Sequence, residues 1–352
     1  MNQGDNADIA GVEKIWIMEL KNIFTTALVT LIHLIPLQAQ DIMFWNLENF
    51  FDTHDDGTST SDSEFSSFGS RHWTRARFEK KRNMIAKTIL WAAACCSDGQ
   101  PPELVGFAEV ENRKVVNSLI YCDVLAKYGY SCIHYESPDR RGIDVALIYR
   151  RDSLELLHSE SRTVRDSSGK VLPTRNMLLA TFRNHRGRTF HIMVNHHPSK
   201  FGGAKASEGR RFAVMAEMAR LCDSLARIGT GPIVCMGDFN DLPDAPQFAV
   251  LDGTMENLAL PLHKSGLGTI KYQGKWELID HFLLSSGYEP APITNDRSPD
   301  FCNMQILYPP FLLVRDNAHT GEKPFRTYSG PRYIGGVSDH LPILMHLSPM
   351  RY

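Results

Sequence analysis

Six segments of this chain set acids, amides or imidazoles at the edge of a short apolar run: FWNLEN (44–49), GFAEVEN (106–112), VNHHPSK (194–200), MGDFND (236–241), ELIDH (277–281) and VSDHLPI (337–343). Apolar, β-branched runs of this length read as strands. One polar residue after a strand is an ordinary turn or helix cap. The same arrangement at six strand ends is costly to bury unless the ends converge on a shared site. The fold must therefore be sheet-based, with its strand ends meeting.

The expected strands are 41–46, 104–110, 143–149, 177–182, 190–195, 232–236, 278–284 and 342–346, and the expected helices 75–94, 113–127 and 208–227. Several strands follow one another with no helix between them, which favours mixed or antiparallel sheets over a doubly wound parallel sheet. Residues 54–70 (HDDGTSTSDSEFSSFGS) read as a polar, Ser-rich loop, and 286–300 and 315–332 as irregular. No repeat or linker interrupts residues 40–352, which read as one domain behind an N-terminal extension of residues 1–39.

Composition narrows the class. Hydrophobic residues at 43% and charged residues at 22% exclude a disordered, collagen-like or polytopic membrane chain. The net charge of −2 means that any nucleic-acid binding must use a local patch. The cysteines stand at 95, 96, 122, 132, 222, 235 and 302 without a C-x-x-C pair, which argues against a zinc or dithiol motif. Adjacent Cys95 and Cys96 read as buried thiols, and pairing among the others stays open.

Residues 18–39 (MELKNIFTTALVTLIHLIPLQA) have the layout of a secretory signal. Charged Glu19 and Lys21 precede an apolar run, 23–37, and Leu37-Gln38-Ala39 offers a cleavage site. The run is short for a membrane span. The expectation is an exported protein, periplasmic or extracellular, with Met18 a candidate start and the mature chain beginning near Gln40 or Asp41.

Taken in order, the strand-end motifs resemble the endonuclease/exonuclease/phosphatase superfamily, across about residues 41–348. GDFN and SDH, after a strand-end Asn and a strand-end Glu, carry the likeness. YQGKWELIDH, PFRTYSGPRYIGG and RHWTRARFEKKRNMIAKTI look like exported bacterial members. The resemblance implies an α+β fold, a four-layer α/β/β/α sandwich of two packed mixed sheets flanked by helices. It implies Mg²⁺ as cofactor, with Mn²⁺ the other candidate, and a metal set of Asn46, Glu48, Glu109 and Asp339. Asp238 matches the residue that deprotonates the attacking water, Asn240 one that holds the phosphate or that water, and His340 the catalytic imidazole oriented by Asp280. His197 aligns with the further active-site histidine and with substrate, His196 standing where Thr is commoner.

The chemistry agrees with these roles. Phosphodiester hydrolysis needs an in-line nucleophile and positive charge around the phosphoryl oxygens, which a cation at Glu109 and imidazolium groups at His197 and His340 would supply. No G-x-S-x-G elbow supports acyl transfer. GDFND also fits the G-D-x-x-D of calcineurin-like phosphatases, but their G-D-x-H and G-N-H-[DE] elements are missing. The basic run 71–82 reads as a solvated helix face with Trp73, Phe78 and Ile85 turned to the core. Arg141, with Arg140, is a candidate for substrate phosphate, as are Lys200 and Lys205; Tyr272, Trp276, Arg326 and Tyr328 stand near enough to stack on or clamp a ring. The expected partner of a monomeric enzyme is a phosphoester, with DNA or RNA first and small or lipid phosphoesters second; a non-catalytic binding protein that keeps the fold is the last reading.

Overall fold

The computed structural model describes residues 39–96, 98–166, 168–200, 203–288 and 304–347. Contacts divide the chain into Met1–Gln38 and Ala39–Tyr352, and the sheets and helices below belong to the second unit. The signal-like run, Cys302 and residues 289–300 lie outside the described residues.

In chain order the strands are β1 (Gln40–Phe50), β2 (Leu104–Val110), β3 (Tyr130–His134), β4 (Asp144–Arg150), β5 (Leu154–Arg162), β6 (Met177–Asn184), β7 (Thr189–His196), β8 (Ile233–Asp238) and β9 (Met255–Asn257). They continue as β10 (Ile270–Tyr272), β11 (Lys275–Glu277), β12 (Asp280–Ser285), β13 (Met304–Ile306), β14 (Leu313–Arg315), β15 (Glu322–Pro324), β16 (Tyr328–Ser329), β17 (Arg332–Tyr333) and β18 (Ile343–Leu347). The helices are α1 (Thr60–Glu64), α2 (Arg75–Ala92), α3 (Arg113–Ile120), α4 (Ala204–Ile228) and α5 (Leu260–Lys264).

Twelve strands form two six-stranded sheets, ordered β13-β18-β1-β2-β4-β3 and β5-β6-β7-β8-β12-β9. Both are mixed. β1 runs parallel to β2 and β7 parallel to β8, while their other neighbours are antiparallel. Parallel neighbours need a crossover, and α2 and α4 supply the two crossovers. The sheets pack face to face, with β1 and β2 over β8. At their meeting point a Cβ on Gly106 of β2 would stand 2.5 Å from Met236 Cε of β8. Ile85 and Ile89 of α2 belong to the core of the first sheet. Met215, Met218 and Cys222 of α4 join Ile233, Cys235 and Leu283 of the second. The result is the expected four-layer sandwich.

Of the twelve strands in the two large sheets, the sequence pattern does not show β3, β5, β9 and β13, and it shows none of the short hairpin strands β10, β11 and β14–β17. The β5 text, LELLHSESR, is largely half-exposed because it is an edge, so it carries little apolar signal. The expected helix 113–127 stops at Ile120, and a 3₁₀ turn (Ala126–Tyr128) follows, closed by Gly129 at φ 62°. The expected loop 54–70 contains α1, and 315–332 contains the last residue of β14, all of β15 and β16, and the first residue of β17. Cys95 and Cys96 lie past the end of α2 and are half-buried rather than buried, and all six described cysteines are free.

Gly237 shows how tightly the strand end is built. A Cβ there would lie 2.2 Å from the Asn195 carbonyl oxygen of β7, a backbone atom that cannot swing away. Gly237→Ala should cost about 3 kcal/mol, the upper end of ordinary overpacking. Melting should fall by roughly 5 °C, and an unchanged melting temperature would show that the two strands can separate there freely.

Candidate active site

Strand register gathers the site. His196 pairs with Asp238 across β7–β8, and Asp280 pairs with Asp238 across β12–β8. Residues directly opposite one another in a ladder point to the same face. On that face His196, Asp238 and Asp280 continue the rows of Val194, Met236 and Phe282, which fill the space between the sheets. Asn46 reaches them from β1, its Nδ2 donating to Asp238 Oδ2 at 3.0 Å.

His340 arrives on the turn before β18. Its Nδ1 donates to Asp280 Oδ2 at 2.8 Å, and the Thr269 hydroxyl donates to the same oxygen. Its Nε2 stands 3.8 Å from Asp238 Oδ2 and 4.0 Å from Asp339 Oδ1. The backbone is fixed at both ends. His340 N–H donates to Ser338 Oγ, and Trp45 Nε1 donates to the His340 carbonyl at 2.9 Å. Burial disfavours the imidazolium, but Asp280, Asp238 and Asp339 outweigh it and hold the pKa well above the ordinary histidine value. Asp238 is pushed up to about 7, by burial first and by Asp280 as well.

Around this floor three further acids converge. Glu109 accepts from Arg141 at 3.1 and 3.3 Å and from the Asn49 N–H at 2.9 Å. Burial works against its charge, yet Arg141 keeps its pKa below the usual carboxylate value. Glu48 accepts from Arg326 Nε at 3.2 Å and from Thr327 N–H at 2.7 Å, and Arg326 also binds Asp339 at 3.1 Å. Burial and the nearby Asp339 push Glu48 up to about 7. Glu48, Glu109, Asp339 and the Asn46 amide offer the oxygen donors that a hard divalent cation takes, so the donor set fits one by its chemistry. The ligand atoms that lie within 4.8 Å of one another at this place, among the described residues, are those of Asp238, Asp280 and His340.

Strain marks the same place. Of the six described non-glycine residues with positive φ, four are Glu48, Asn49, Glu109 and Asn240, at φ 49°, 57°, 60° and 53°. Each such residue costs about 1–3 kcal/mol and persists where surrounding structure over-determines it. At Asn240 the fixing contacts are its N–H to Asp238 Oδ1 (2.9 Å) and its Nδ2 to the His197 carbonyl (3.0 Å).

The expected histidine is displaced by one residue. His197 lies past the end of β7, with its ring against Phe239 at 4.7 Å, in the layer under α4. Both its ring nitrogens are buried without a hydrogen-bond partner. Burial and Arg175 pull its pKa down to about 3, so it carries no imidazolium. His196 faces the site instead, its Nε2 3.6 Å from Asp238 Oδ2. Burial, then Arg175 and Arg141, hold it well below the ordinary value, so it too is neutral. Period-two alternation decides which of two adjacent histidines faces inward, and the text HH does not show where the count begins.

The other expected residues, Asn46, Glu48, Glu109, Arg141, Asp238, Asn240, Asp280, Asp339 and His340, come together as described. Lys200 binds Asp241 at 2.9 Å, Tyr328 is buried among Phe65 and Trp73, Trp276 packs edge-on against Tyr308, and Tyr272 and Lys205 are exposed. Lys81 was hidden in the basic run. It is buried, donates to the Glu48 carbonyl and Thr327 Oγ1 (2.9 Å), and is pulled down to about 8 by burial. Thr269, Ser338 and Arg175, whose Nε donates to the His196 carbonyl at 3.2 Å, were also unmarked in the sequence.

The sequence model of the Endonuclease/Exonuclease/phosphatase family matches residues 41–349. The chain belongs to that family. Protein angel of Drosophila melanogaster is 30% identical over 163 residues, 40% of this chain and 43% of that protein, so the chain matches under half of that relative's length. Among solved structures, a mannosyl-6-phosphatase of Bacteroides thetaiotaomicron aligns with TM-score 0.56 at 15% identity, covering 88% of this chain and 100% of that one. The human nocturnin catalytic domain with bound sulfate aligns with TM-score 0.53 at 15% identity, covering 88% and 93%. The family takes its name from endonucleases, exonucleases and phosphatases, which makes this chain a phosphoester hydrolase by class. Among the described residues no helix is long and apolar enough to cross a membrane.

Proposed function

We propose that the chain is a Mg²⁺-dependent phosphodiesterase, a nuclease in the first instance, that cleaves by in-line attack of water. The carrying observation is the run Asp280–His340–Asp238, a carboxylate-held imidazolium 3.8 Å from a buried acid whose pKa lies near 7. Asp238, braced by Asn46 and the Asn240 N–H, takes the proton of the attacking water. His340 presents its Nε2 proton to a phosphoryl oxygen as charge builds there. Arg141 and Arg326 are half-exposed at the rim and supply charge-assisted hydrogen bonds to phosphate. His196, neutral, contributes hydrogen bonding rather than charge. Mg²⁺ held by Glu109, with Glu48, Asp339 and Asn46 about it, would add positive charge at the phosphoryl and leaving oxygens.

The second reading is a phosphatase on small phosphoesters, favoured by the net charge of −2, which gives no long-range pull on DNA. Export to the periplasm or beyond is part of the proposal and rests on the apolar run at 23–37. The test is nicking of supercoiled plasmid by the full chain in Mg²⁺. Nicking abolished by EDTA and by His196→Ala, but kept by folded His197→Ala, is the expected result. Folded protein that leaves plasmid intact and hydrolyses p-nitrophenyl phosphate would move the assignment to the second reading.

A further inference from the structure

We propose that His134, Glu136 and Asp144 bind a divalent transition cation of the zinc type at a site separate from the catalytic centre. One ligand atom from each of the three lies within 4.8 Å of the others. The sheet register shows how the place is made. His134 closes β3 opposite Ala146 of β4, and Asp144 opens β4 two residues away, on the same face as Ala146. Tyr149, at the opposite parity on β4, packs on Phe182 of β6 between the sheets. His134 and Asp144 therefore sit on the outer face of the first sheet, the side away from His196, Asp238 and Asp280. Arg113, at the start of α3, donates to the carbonyls of Cys132 and His134 and anchors the strand end.

The contact between the two buried groups is not a hydrogen bond. His134 Nε2 lies 3.2 Å from Asp144 Oδ2, with both side chains almost wholly enclosed, yet the nitrogen has no hydrogen-bond partner. A buried ring nitrogen left unpaired beside a carboxylate is costly. Two donors about 2.0–2.1 Å from a tetrahedral cation stand roughly 3.3 Å apart, close to the separation seen. The Ser137 hydroxyl donates to Asp144 Oδ1, which orients the carboxylate as an outer partner does in metal sites. Glu136 Oε1 lies 3.9 Å from the other ring nitrogen, Nδ1, and its side chain, 76% exposed, is free to turn to the Nε2 side, closing the site from solvent and leaving a position for water. Imidazole with two carboxylates suits Zn²⁺ or Co²⁺ better than Mg²⁺. His134 and Asp144 flank residues 135–143, the loop that contains Glu136 and carries Arg141 to Glu109, so the cation would pin that loop.

The test uses the full chain, stripped of metal and then loaded with Co²⁺ in excess Mg²⁺, with the visible absorption of tetrahedral Co²⁺ as readout. Zn²⁺ retained after dialysis is measured in parallel. The wild type should show the absorption and keep Zn²⁺. His134→Gln should lose the absorption and weaken Zn²⁺ binding by about a hundredfold, and Glu136→Gln by about tenfold. Glu136→Gln alters an exposed side chain and decides the matter alone if His134→Gln fails to fold. Unchanged absorption and Zn²⁺ content in the variants would overturn the site. Loss of the absorption in Glu109→Gln would also overturn it, by placing the cation in the catalytic centre.

Discussion

His340→Ala should lower turnover by about three orders of magnitude, the middle-to-upper range for a proton-transferring and charge-stabilising group. Circular dichroism should stay native, because the ring makes its hydrogen bond to Asp280 at the edge of the core rather than filling it. The substitution removes the only imidazole in the described site that is held charged; His196 and His197 are both pushed to the neutral side. The wild-type pH profile should be a bell. On the acid side, activity rises as Asp238, near 7, gives up its proton. A cation bound at the neighbouring acids moves that limb lower. On the alkaline side, activity falls as pH rises through the elevated pKa of His340. Steady-state rates across pH check both limbs. Retention of a tenth of the activity by His340→Ala, or a flat profile, would remove His340 from the mechanism.

Asp238→Asn should lower turnover by about a thousandfold, since the amide keeps the shape but cannot take a proton. The acid limb should vanish with it. Stability should move the other way. The folded pKa of Asp238 is raised above its ordinary value, so the buried charge costs stability at every pH above that ordinary value, and the cost is fully present above about 7. A neutral Asn removes that cost, and the variant should melt at or above the wild-type temperature at pH 8. A variant that is inactive because it is unfolded would refute the assignment of Asp238 as a base held at a price in stability.

The chain text reached the floor of the site because the chemistry there is local. Asp238 and Asn240 in MGDFND, Asp280 in ELIDH and His340 in VSDH each follow or precede an apolar run, and the run itself places them at a strand end. Glu109 is legible for the same reason, and its left-handed backbone is where β2 and β4 shift register around it. The order of the four layers was legible only through the family resemblance, because periodicity shows which face of a strand is apolar and not what covers it.

What tertiary structure decided is everything that depends on register between distant segments. His196 rather than His197 faces Asp238, because β7 aligns with β8 at that residue and alternation turns the next ring toward α4. Lys81 is a surface residue by its neighbours in sequence, yet it is buried on the Glu48 carbonyl, brought there because α2 crosses from β1 to β2. Thr269, Ser338 and Arg175 are ordinary polar residues until the strand ends meet. Which residue types stand at the strand ends is legible in the chain text, since burial cost and covalent spacing act along the chain. Which of them touch was decided by the packing of one sheet on the other, since contact depends on three-dimensional register that no single segment contains.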